Sequence, residues 1–271
     1  MQNMKKMPTP GGIGAGQTAT VNLPIGLTYE ALFIRLSAKI GAIDGDIMPT
    51  RWGNYIGEVR ILVDGNVTYQ IDAGDLEKMN LRYGKPPQIG VLPIFLSRPW
   101  MRTMGGEDQT SYKTGAGVST LTLELDIKAD VTVNNLDIYA QQSPGMAWGT
   151  HLRIKRYSHP QSLVGPAEIS DLPRSNYNML ALHVNTDKIE RAEVVINNNK
   201  VVDYDKAMRN AINAVNGRNP ITGFTMLDFQ SKNRMIESVP MQVQDFRLKL
   251  DFTEVGNYTI YAESVAGAAG A

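Results

Sequence analysis

The sequence predicts an all-β chain built as two tandem sandwiches, and three observations carry that expectation. Apolar and polar residues alternate in short runs: Phe246, Leu248, Leu250 and Phe252 are set between Asp245, Arg247, Lys249 and Asp251, the period-two pattern of a half-buried strand. The same stretch occurs twice. Leu123, Leu125, Asp126 and Ile127 precede Leu248, Leu250, Asp251 and Phe252 by 125 residues, and Ile138, Tyr139 and Ala140 precede Ile260, Tyr261 and Ala262 by 122. Turn chemistry punctuates the runs. Gly256-Asn257 is expected to close the later hairpin, and Asp64-Gly65 and Asn197-Asn198 to close two more, all residues that tolerate the positive φ of a primed turn.

Followed outward, the repeat covers most of the chain. Leu23-Pro24 corresponds to Leu172-Pro173 at a spacing of 149, and Tyr29, Leu32, Ile34 and Leu36 to Tyr177, Leu180, Leu182 and Val184 at 148. Hairpins around Ile61 and Val63 and around Val194 and Ile196 come next, then helix candidates at 73–83 and 205–215. A strand at 91–97 or 224–231 leads into the doubled hairpin. About eight short strands and one confident helix per half fit two tandem eight-stranded jelly rolls with short helices in the connections. A length of 271 residues suits two ordinary domains. The expected division is a flexible arm at 1–17, a first roll at 18–143, a second at 144–265 and a flexible tail at 266–271.

Composition narrows the function. The chain has no cysteine, which removes disulfides, thiolate nucleophiles and Cys-based zinc sites. Its 27 basic and 27 acidic residues balance, so no global field draws it to nucleic acid, and no direct nucleic-acid partner is expected. Apolar runs are too short to cross a membrane, and Lys5 and Lys6 lack the apolar core of a signal peptide behind them. The histidines, His151, His159 and His183, belong to no HExxH motif, and no GxSxG, phosphate loop or dinucleotide fingerprint occurs. Nothing argues for an enzyme.

Two stretches of the first half have no counterpart in the second, 38–57 and 99–117. Asp44 and Asp46 flank Gly45 in one, and Glu107 and Asp108 stand in the other. These are the candidate metal ligands, yet a calcium loop needs several more oxygens at fixed spacing, and solvated loops are the simpler reading. Trp52, Trp100 and, in the connector 143–150, Trp148 all lie outside the repeated strands. Each either caps a local loop cluster or anchors a subunit interface, where tryptophan is enriched. The basic alternating segment 151–160 reads as a charged edge strand with Arg153 and Lys155 pointing outward. With Lys5 and Lys6 these are the candidates for facing lipid headgroups.

Four strings resemble a known family. NLPIGLTYE at 22–30, EISDLPR at 168–174 and QDFRLKLD at 244–251, with IFLSRPWM at 94–101 a weaker fourth, are similar to the major capsid protein of corticoviruses, tailless icosahedral phages with an internal membrane. The resemblance implies a double jelly-roll coat protein whose homotrimers form pseudo-hexagonal capsomers. Its partners would be neighbouring capsomers, vertex and membrane proteins and the lipid vesicle beneath, with calcium as a structural ion. Its place would be the virion shell, after synthesis in the host bacterial cytoplasm. Two tandem rolls also occur in glycan-acting hydrolases, which hold a carboxylate in a cleft between the rolls, and a carbohydrate-binding protein is a further alternative. A trimer in solution favours the capsomer, a monomer the other two.

Overall fold

The computed structural model describes residues 3–41 and 48–267. The first half holds β1 (Asn3–Lys6), β2 (Thr18–Leu23), β3 (Leu27–Ile40), β4 (Ile56–Val63), β5 (Asn66–Asp72), α1 (Ala73–Arg82), β6 (Val91–Phe95), α2 (Met104–Asp108), β7 (Tyr112–Lys113), β8 (Leu121–Ile127) and β9 (Val131–Pro144). The second holds β10 (His151–Gln161), β11 (Gly165–Ile169), β12 (Tyr177–Val184), β13 (Ile189–Ile196), β14 (Asn199–Asp205), α3 (Lys206–Val215), β15 (Thr225–Asp228), β16 (Val239–Pro240), β17 (Phe246–Phe252) and β18 (Gly256–Ala266).

Strand pairing repeats between the halves. In the first, β1-β9-β3-β6 faces β2-β8-β4-β5; in the second, β10-β18-β12-β15 faces β11-β17-β13-β14. Leu125 lies opposite Ala19 and Val59, and Leu250 opposite Ala167 and Ala192. The expected equivalence of Leu125 with Leu250 therefore holds at the level of register. So does that of Tyr139 with Tyr261, on the last strand of each roll. From β4 to β6 the correspondence is a constant 133 residues, down to a shared bulge at Thr68 and Val201. Asp64, Gly65, Asn197 and Asn198 all take positive φ, between 47° and 79°, as the primed hairpin turns require.

Several expectations need correction. Residues 1–17 are not simply a flexible arm: Asn3–Lys6 pairs antiparallel with β9, and Met7 is buried in the core. By register β1 is the counterpart of β10, since Lys5 lies opposite Ala140 as Lys155 lies opposite Ala262. The spacing in β3 and β12 is 150 rather than 148, because their bulges fall at Glu30 and Leu180. That slip is an even number of residues, so every side chain keeps its face. Gly256 begins β18 instead of closing the hairpin, whose turn is 253–255. The stretch 38–57 is not wholly a solvated loop. β3 extends to Ile40, and a 3-10 turn at Trp52–Asn54 seats Trp52, fully buried, beside α1. Gly53 packs closely there, since a Cβ on it would stand 3.2 Å from the Gly74 Cα.

The segment 151–160 is not an edge. β10 pairs with β18 on one side and with β5 on the other, Ile154 opposite Tyr69 in parallel. One sheet therefore runs β15-β12-β18-β10-β5-β4-β8-β2 through both rolls. The core of the first roll crosses this seam and takes in Leu152, Ile154, Leu180 and Tyr261, while the second roll keeps its own core around Leu248, Leu250 and Phe252.

Burial alternates along β17, with Leu250 inaccessible and Lys249 partly exposed beside Glu193 at 3.2 Å. Leu250→Ala is expected to cost about 2–5 kcal/mol, and Lys249→Ala at most about 1 kcal/mol, as for a surface ion pair. Urea denaturation of the two variants checks this, and equal losses would overturn the assignment of faces.

Candidate assembly site at the seam between the rolls

The seam is where side chains of the two halves meet, and it is built on β18. That strand lies inside the continuous sheet, so its residues from Tyr258 to Ala266 are buried on both faces. Glu263 sits among them. Its carboxylate accepts hydrogen bonds from Arg98, which follows β6, from the Tyr83 hydroxyl at the end of α1 (2.6 Å) and from His183 Nε2 on β12 (2.9 Å). Arg98 Nη1 also donates to Gln230 Oε1 at 3.2 Å. Burial alone would raise the Glu263 carboxyl, but the Arg98 charge and the bonds from His183 and Tyr83 outweigh it and hold it at about 2.

Further contacts lie along the same line. Arg218 pairs with Asp228 at 2.8 Å, both nearly inaccessible, and its guanidinium stands 4.8 Å from the Tyr83 ring centroid. The Tyr261 hydroxyl lies 2.8 Å from carboxylate oxygens of both Asp72 and Asp75; burial and then these charges push the phenol far above its ordinary range. Arg156 reaches Glu58 at 3.0 Å, and Lys155 donates to the Val67 carbonyl. The Tyr112 hydroxyl donates to the Leu152 carbonyl at 2.8 Å.

This chemistry holds the halves together. A general acid is expected to have a raised pKa and access to substrate, whereas Glu263 is buried, saturated by three donors and depressed. Removing one partner of such a buried pair strands the other charge, which costs several kcal/mol.

The residues singled out from sequence fall elsewhere or play other parts. Trp100, half-buried, stacks on Tyr83 with centroids 4.3 Å apart, and Trp148 stacks on His151 at 4.3 Å. Trp52 is fully buried in the core and cannot anchor a subunit interface, while Trp100 and Trp148 are half-buried and stacked within the protomer. Asp44 and Asp46 lie outside the described residues. Glu107 is half-buried and Asp108 exposed on α2; burial and then the neighbouring Asp108 raise the Glu107 carboxyl. No group of three or more His, Asp or Glu with metal-binding placement occurs among the described residues. Glu107 and Asp108 therefore do not fit calcium, which takes six to eight oxygens. Lys6 pairs with Asp137 at 2.7 Å, Lys5 is exposed on β1, and Arg153 packs over the Tyr177 ring. Lys155 lies in the seam.

Sequence reasoning passed over Glu263, Arg98 and Tyr83. Of the set only His183 stands out there, as one of three histidines outside any motif. The available signal was a charge in an otherwise apolar strand, Glu263 between Tyr261, Ala262 and Val265.

Two rolls joined through one sheet define a double jelly-roll architecture. The chain matches the description "Viral coat protein P2 N-terminal domain" over residues 4–143 and "Viral coat protein P2 C-terminal domain" over 151–268. It belongs to the viral coat protein P2 family. The major capsid protein P2 of Pseudoalteromonas phage PM2 is 29% identical over 261 residues, covering 93% of this chain and 91% of that one. The crystal structure of the PM2 protein superposes with a TM-score of 0.86 at 25% identity, covering 98% of each chain. A chain in the atomic structure of Sulfolobus Turreted Icosahedral Virus shares the fold, with a TM-score of 0.73, 11% identity and coverage of 98% and 90%. The family is one of structural coat proteins and not of enzymes.

Because the Glu263 pKa is lower in the folded than in the unfolded chain, its contribution is complete above its ordinary value of 4.5 and is lost as the pH falls towards 2. The shift corresponds to about 3 kcal/mol. Glu263→Gln should destabilise the protein strongly at pH 7, and the gap from the unmutated protein should close on acidification. Urea midpoints at pH 7, 5 and 3 check it; a gap that stays constant would refute the ion-pair account.

Proposed function

We propose that the chain is a major capsid protein whose homotrimers form pseudo-hexagonal capsomers of an icosahedral shell around an internal lipid membrane. The observation that carries this reading is the whole-length match, both rolls and the joint between them, to the PM2 coat protein. Three copies of two similar rolls fill a nearly six-fold lattice position, which a single roll per copy would not do with three subunits. Balanced charge limits repulsion between closely packed copies and suits a shell separated from the genome by lipid. In this reading the partners are other copies, neighbouring capsomers, vertex and membrane proteins and the lipid surface. The site of action is the virion, after synthesis in the host cytoplasm. In this reading a structural calcium ion would need ligands other than Glu107 and Asp108 alone.

A glycan-acting hydrolase is the poorer reading, because Glu263 and Asp228 at the seam are buried and ion-paired. Light scattering on the purified protein is the test. The expected mass is three times the 29.8 kDa of one chain, unchanged on dilution through the micromolar range. A monomer at every concentration would overturn the capsomer.

A further inference from the structure

The repeat provides an internal control for the second roll, because α3 corresponds to α1 position by position, Lys206 to Ala73 and onward. One pair in these helices differs sharply in chemistry. Leu76, 1% exposed, belongs to the core of the first roll, and its counterpart is Arg209, 3% exposed. Arg209 Nη2 donates to the Ile189 carbonyl at 2.8 Å, whereas Nε and Nη1 have no hydrogen-bond partner among the described residues. Burial pulls this guanidinium below its ordinary range, and Glu190 and Asp205 oppose the shift only as neighbouring charges. Buried donors without acceptors are costly. The fold does not demand that cost, since the first roll builds the same helix on leucine.

Arg209 borders a cavity of about 170 Å³ at the first turn of α3, together with Asp187, Lys206, Asn210, Ile221 and Thr222. That is several times the roughly 30 Å³ share of one water. The first roll fills the corresponding place. Its 3-10 turn at Trp52–Asn54 packs on α1, where the Trp52 amide donates to Glu77 Oε2 at 3.1 Å and Gly53 lies against Gly74. Glu77 is the counterpart of Asn210, but the second roll has no such turn, because only residues 185–188 link β12 to β13. Lys206 Nζ donates to the Asp187 carbonyl at 2.8 Å, which leaves the ammonium further donors. Arg209 also borders a void of about 20 Å³ beside Val202 and Tyr204, with room for about one water. An anion can reach the guanidinium only from the larger cavity.

We propose that this cavity binds an oxyanion, the carboxylate or phosphate group of a small hydroxylated molecule such as an acidic sugar. Arg209 supplies a planar fork of donors that matches the oxygens of either group, and Lys206 adds a second positive charge. The Asp187 carboxylate repels a bare anion but accepts from hydroxyls, so it selects a ligand that carries both. Asn210 and Thr222 offer further partners for those hydroxyls. This binding activity is separate from the coat role and needs no contact between copies.

Isothermal titration calorimetry of the purified protein with glucuronate, glucose-6-phosphate, inorganic phosphate and glucose tests the proposal. At least one acidic sugar should bind, tenfold or more tightly than either inorganic phosphate or glucose, and the better of the two identifies the anionic group. Arg209→Leu and Lys206→Ala each copy the first roll, so circular dichroism should be unchanged while affinity falls at least tenfold. Failure of both acidic sugars to bind would overturn the site, as would binding that survives Arg209→Leu. Glucose binding equally well would overturn the role of charge, and inorganic phosphate binding equally well would overturn the role of the hydroxyls.

Discussion

The structure depends on burying Glu263. A carboxylate in the middle of a continuous β-sheet is tolerable only if charge and hydrogen bonds replace water, and the replacements come from separate parts of the chain. Arg98 and Tyr83 belong to the first roll, His183 and Glu263 to the second. Neither half can satisfy this set alone, so the rolls are fixed in one relative placement and not merely tethered by the connector 145–150. The parallel contact of β10 with β5 adds backbone pairing to the same joint. Apolar packing supplies most of the attraction across the seam; the polar set supplies its register, because a shift of one residue would strand Arg98 against the sheet.

How much of this was legible in the sequence follows from which signals are local. Alternation in 246–252 and 121–127 marks strands without reference to anything distant, and two copies of a pattern reinforce each other. The fold class, the duplication and the hairpin turns could therefore be read directly. β1 could not: its four residues are all exposed, and a strand whose stability comes wholly from pairing with β9 leaves no apolar period. The interior position of β10 was hidden for a related reason. Arg153 and Lys155 alternate with Leu152 and Ile154 as at a charged edge, yet Lys155 ends on a carbonyl of the other roll and Arg153 packs over the Tyr177 ring. Trp52, Trp100 and Trp148 were legible as unusual, but their partners, α1, Tyr83 and His151, are distant in sequence or unmarked by any motif.

The repeat also explains why residue identity between the halves is low while register is kept. Register is set by turns and bulges, which are backbone properties shared by both rolls. Side chains are set by what covers them, and the two rolls are covered differently. The buried β5 presents Tyr69 and Thr68 to the seam, whereas β14 presents Val202 and Val201 at the corresponding positions. Helix α1 likewise ends on buried Arg82 and Tyr83, and α3 on exposed Val215 and half-buried Asn216.

That divergence separates a flank buried within the protomer from one that the protomer leaves in water. At the outer flank Gln141 stands where Glu263 stands inside, Phe33 replaces His183, and Asn216 replaces Tyr83. Neutral and apolar groups can leave water on association and return to it on dissociation without an uncompensated buried charge. Had the outer flank kept the inner set, a free protomer would expose a carboxylate and a guanidinium whose desolvation on docking costs several kcal/mol each before their attraction offsets it. The same strand arrangement thus occurs buried in one copy and exposed in the other, and the side chains at its centre follow the burial.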